Sequence, residues 1–121
     1  MSLPYRLFGR PRSVADALCE LEEHPADTSV SVHPVVQVRS RQPFAITQYC
    51  AEVTVYHNGH RDRFETVLAA YTQRDGPARR AFERHRAELR LEDLSAAFRR
   101  RSDQVAIASR PSQQSLQEHS S

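Results

Sequence analysis

Lysine is missing from this sequence: all 17 basic residues are arginine. Selection for phosphate contacts usually enriches both cations, whereas complete replacement follows the codon bias of a GC-rich genome. The arginines therefore count for less as a sign of nucleic acid. Glycine is scarce too, with three residues, and none forms a phosphate-cradling loop or a nucleophile elbow. The carboxylates read mostly as solvated helix charges, without an evident acid–base couple. Neither catalysis nor a cofactor is expected. Two cysteines, Cys19 and Cys50, cannot build a disulfide framework, and no Cys-x-x-Cys suggests zinc or redox work. Both read as reduced core residues. No apolar run approaches the roughly 18 residues of a membrane span. Met1-Ser2-Leu3-Pro4-Tyr5-Arg6 lacks the basic start and apolar stretch of a secretory signal. A cytoplasmic protein without a membrane partner is the expectation.

What is present suits one small domain. The 121 residues allow one core and not two, and an apolar fraction of 39% is globular despite a mean hydropathy of -0.65. Residues 1–12 read as an N-terminal arm carrying three arginines and no acid, while 13–27 carry five acids and no base. Ser13 is a helix N-cap with Asp16 as a short capping-box partner. Val14, Ala17, Leu18 and Leu21 then recur at helical spacing, and His24-Pro25 ends the helix. Thr28 to Val38 reads as a strand with Val30, Val32, Val36 and Val38 on one parity. Pro34 makes it either an edge strand or an interrupted one. After a polar connection from Arg39 to Pro43, a second strand runs from about Ile46 to His57.

Asn58-Gly59 signals a type I′ turn, whose two central residues need positive φ. A two-residue turn pairs His57 with His60, Val53 with Phe64, Ala51 with Thr66 and Tyr49 with Leu68, and sets Glu52 against Glu65. Phe64, Leu68 and Tyr71 also fit a helix, but the apolar match across the strands favours the hairpin. Gly76-Pro77 opens the last helix. Its Ala78, Ala81, Phe82, His85 and Leu89 share one face, and Leu91, Leu94, Phe98 and Val105 share the opposite one. Either the helix kinks between Arg90 and Asp93, or it is continuous with two sides to cover. The polar segment 109–121 is expected to be a disordered tail. The expected fold is α+β over residues 13–108: an N-terminal helix, a three-stranded antiparallel sheet, and a C-terminal helix or kinked helix pair.

The order helix, three strands, helix from Ser13 to Leu89 resembles that of double-stranded RNA-binding domains. In that family the last helix opens with a glycine-led run of lysines against phosphates. Gly76-Pro77-Ala78-Arg79-Arg80 followed by Arg84 is similar, with the last base one position off and proline in the serine or lysine region. The resemblance implies phosphate contacts by Arg79, Arg80 and Arg84; on the helix itself Arg79, Arg86 and Arg90 align along one side with Arg80 and Arg84 adjoining, a row near a helix start that suits phosphates. The other reading of the same row is a solvated face held by pairs such as Glu83 with Arg86 and Glu88 with Arg84. His57 and His60 flank the turn, but two ligands are half a metal site, so no metal is expected. The leading expectation is a non-enzymatic accessory, adaptor or inhibitor. It would bind a protein partner or a second copy of itself through Leu91, Leu94, Phe98 and Val105. A nucleic-acid-binding accessory protein is the alternative.

Overall fold

The computed structural model describes residues 11–41 and 44–108. Most of the expected arm and all of the expected tail, 109–121, lie outside the described residues. Helix α1 spans Val14–Glu23, strand β1 Thr28–Arg41, β2 Phe44–His57, β3 His60–Thr72 and helix α2 Pro77–Ala108. The sheet is antiparallel in the order β1-β2-β3. The α+β architecture and its element order are those the sequence implies.

Local chemistry sets each boundary. Ser13 caps α1 by accepting from the Asp16 amide at 3.2 Å, and the Asp16 carboxylate reaches back to the Arg12 amide at 3.0 Å. This is a capping box displaced by one residue. At the other end the His24 amide closes on the Glu20 carbonyl at 2.9 Å, and Pro25 forbids another turn. Asn58 and Gly59 take φ of 52° and 85°, as the type I′ turn demands.

The strands run longer than their apolar pattern. β1 continues through Arg39 to Arg41 and β2 begins at Phe44, so the expected polar connection is largely strand. Pro34 interrupts nothing, because β1 is an edge and the missing N–H is tolerated there. β3 is a strand and not a helix. Its register holds at Val53–Phe64 and Ala51–Thr66 and then shifts at Tyr49/Cys50, so Tyr49 stands opposite Ala69 and not Leu68. Leu68 is the extra residue of a β-bulge. Glu52 does face Glu65. Each finds a partner elsewhere: Arg63 lies 4.0 Å from Glu52, and Gln37 donates to both Glu65 oxygens at 2.8 and 2.9 Å. The Gln37–Glu65 bond crosses over β2, where Cys50 is buried. Burial, helped by the Glu65 charge and opposed by Arg39, pushes the Cys50 thiol pKa up.

Both helices cover the same face of the sheet. At one end Ala17, Leu21, Val53, Val55 and Phe98 form a buried cluster with Val14, Leu18, Val30, Val32, Phe64 and Leu94 against it. Further along, Ala51, Leu68, Ala69 and Ala87 are joined by Tyr49 and Leu91. α2 is one continuous helix of 32 residues without the break that the sequence left open. No helix among the described residues is long and apolar enough to cross a membrane.

The turn offers a clean test of backbone strain. A Cβ placed on Gly59 meets nothing within 4 Å, so Gly59→Ala is penalised by its positive φ alone. The expected loss is about 1–2 kcal/mol, read as a lower urea midpoint with an unchanged slope.

Candidate functional site

The long helix has two unlike sides. Leu91, Leu94 and Phe98 point to the chain's own sheet, where Phe98 is buried and the two leucines pack on the core clusters. Val105 lines a cavity with Leu21, Pro25, Thr28 and Ser102, between the ends of the two helices. Of the surface expected to meet a partner, Leu91, Leu94 and Phe98 thus pack on the chain's own core, while Val105 stays half-buried at the cavity. One face repeating at 83, 87, 91, 94 and 98 is what a continuous helix requires to follow a sheet. The apolar residues left in water are on the opposite side: Phe82 is 60% exposed and Leu89 48%. Ala78, Ala81 and His85 are exposed beside them. Phe98→Ala is expected to lower stability by about 3–5 kcal/mol, and Phe82→Ala to change it by less than about 0.5 kcal/mol. Urea unfolding of the two variants makes the comparison.

The five arginines are all engaged with their own protein. Arg79 and Arg86 lie 3.1 and 3.8 Å from the carboxylate of Glu83, which is 2% exposed. Its Oε1 is enclosed and held by charge, not by an aligned hydrogen bond. Arg80 donates to the Asp75 carbonyl ahead of the helix. Arg84 Nε donates to the Tyr49 hydroxyl at 3.3 Å, and Arg90 Nη1 to the Leu68 carbonyl at 2.6 Å. A row that reads as a phosphate comb in sequence is, in space, three clasps from α2 to the preceding turn, β2 and β3, made by Arg80, Arg84 and Arg90, and two pairings within α2, made by Arg79 and Arg86. Glu83 and Arg86 pair as expected, whereas Arg84 turns to Tyr49.

Between the far half of β1 and the first turns of α2 runs a groove of about 200 Å³, lined by Pro34, Val36, Tyr49, Leu68, Arg84 and Leu91 among others. Its polar end is a tyrosine pair whose rings, Tyr49 and Tyr71, are 5.9 Å apart. Tyr49 hydrogen-bonds to the Tyr71 oxygen, and with help from Thr47 and the Arg84 charge this holds the Tyr71 phenol below the usual tyrosine range. The same contacts raise the Arg84 pKa further. Absorbance titration at alkaline pH is expected to show one tyrosine ionising before the rest. Tyr49→Phe removes the largest cause and returns Tyr71 toward about 10.

A third constellation joins the end of α1 to the end of β2. Ligand atoms of Glu20, His24 and His57 all lie within 4.8 Å of one another. His57 Nδ1 is 3.2 Å from Glu20 Oε1 and 3.0 Å from Thr28 Oγ1, and the two imidazole rings are 4.6 Å apart. Glu20 is 7% exposed, so it is no solvated helix charge. The sequence pairs His57 with His60 across the turn, and that register is correct. What it hides is that His57 belongs with α1. The available signal was the Glu20–His24 spacing of four, which puts both side chains on one helical face.

Set beside protein-family models, curated proteins and solved structures, the chain matches none.

Proposed function

We propose that this chain is a non-enzymatic protein-binding module whose contact surface is the outer side of α2, with a second copy of itself as the first partner. The observation that carries this reading is Phe82 and Leu89 standing in water on a helix whose opposite side is already packed. They are seven residues apart, two helical turns, with His85 between them on the same stripe. A two-fold axis near His85 sets each copy's Phe82 beside the other's Leu89, a self-complementary contact. The stripe from Ala78 to Leu89 is roughly 17 Å long. That is small for a permanent interface, so the association is weak and concentration-dependent.

The nucleic-acid reading has less support, because Arg79, Arg80, Arg84, Arg86 and Arg90 each hold a partner within the chain. Releasing them for phosphates costs those clasps. Light scattering over a concentration series separates the readings. The average mass is expected to rise with concentration, and the Phe82→Asp, Leu89→Asp double variant to stay monomeric with an unchanged unfolding midpoint. A chain that remains monomeric throughout, yet binds labelled duplex RNA with a steep salt dependence, reverses the preference.

A further inference from the structure

We propose that Glu20, His24 and His57 form a binding site for a borderline first-row divalent ion of the zinc class. Two donors on such an ion, each about 2.0–2.2 Å away, stand roughly 3–3.5 Å apart. Glu20 Oε1 and His57 Nδ1 already do, at 3.2 Å. With all three donors inside 4.8 Å, closure on an ion asks for a shift of about an ångström in side chains. The backbone beneath them is fixed: Glu20 and His24 sit one turn apart at the end of α1, and His57 is the last residue of β2.

Charge favours the same assignment. A carboxylate as buried as Glu20 is stable when ionised only with positive charge against it. A divalent ion lying between the three donors supplies that charge. Two imidazoles and one carboxylate suit zinc, cobalt, nickel or copper and disfavour magnesium and calcium, which prefer all-oxygen shells. Thr28 Oγ1, 3.0 Å from the same ring nitrogen, places a neutral oxygen at the rim, and that contact gives way when the nitrogen ligates an ion. Three protein donors leave at least one position for water. An ion here bonds α1 to the sheet, so binding stabilises the folded chain.

The test is a Zn²⁺ titration of the full chain carrying no affinity tag, followed by calorimetry and by NMR of the histidine ring nitrogens. One ion per chain is expected, with shifts at His24 and His57 while His33, His60 and His85 stay in place. The unfolding midpoint is expected to rise with Zn²⁺ and not with Mg²⁺. His24→Ala and His57→Ala are each expected to weaken binding by more than about tenfold, and Glu20→Gln to weaken it while keeping the side chain's shape. Absence of saturable binding overturns the proposal. So do shifts centred on the other histidines, or binding that survives the loss of both His24 and His57. Because the NMR arm uses the unaltered chain, a variant that fails to fold leaves the decision intact.

Discussion

One long, narrow sheet has one face to keep dry, and two helices of very different length must do it. Strands of 13 or 14 residues extend roughly 45 Å. α2, with 32 residues, is about as long at roughly 48 Å. α1, with 10 residues, covers about a third of that length. Where both helices lie side by side, Val53, Val55, Leu21 and Phe98 are sealed. Beyond the start of α1 only α2 remains, and the far half of β1 is left open. Val36 and Val38, on the helix-facing parity of β1, are therefore 58% and 69% exposed. The groove beside Tyr49 lies at the margin of this uncovered strip.

The arginines make sense within that geometry. The bulge at Tyr49/Cys50 takes Leu68 out of step with β2. Arg90 reaches down from α2 and gives the Leu68 carbonyl a donor at 2.6 Å. Arg80 does the same for Asp75 before the helix begins. A guanidinium presents several donors on a long stem, so it can satisfy a carbonyl at a distance and still cover apolar surface. Composition alone could not separate this use from phosphate binding, since the same guanidinium donors serve a carbonyl or a phosphate oxygen.

Local signals were the legible ones. Ser13, Pro25 and Asn58-Gly59 each carry their own reason for a cap, a stop and a turn, and each acts as its chemistry implies. The near end of the hairpin was legible for the same reason, because two residues of turn dictate the pairing of His57 with His60. The bulge was not, since an extra residue in β3 leaves no mark on the apolar alternation until Leu68 and Ala69 are both found buried. Of the site candidates, the two-sided character of α2 was visible from periodicity, but which side the sheet claims was not. Leu91 to Val105 looks as eligible for a partner as Ala78 to Leu89 until the sheet's length is known. The contact of His57 with Glu20 lies further out of reach, spanning 37 positions and depending on how α1 docks.

Two buried carboxylates show how alike burials can differ in consequence. Glu83 and Glu20 are 2% and 7% exposed, and each needs positive charge nearby. Glu83 is met by Arg79 and Arg86, whose guanidinium groups keep their charge at any ordinary pH. That arrangement is fixed, and it holds the first turns of α2 in one state. Glu20 is met by His57 and its neighbour His24, whose imidazoles carry charge only when protonated and present lone pairs when they are not. The first carboxylate is a finished structural pair. At the second the partners are two imidazoles from different elements, α1 and β2, so this contact joins the short helix to the sheet as the arginines join the long one.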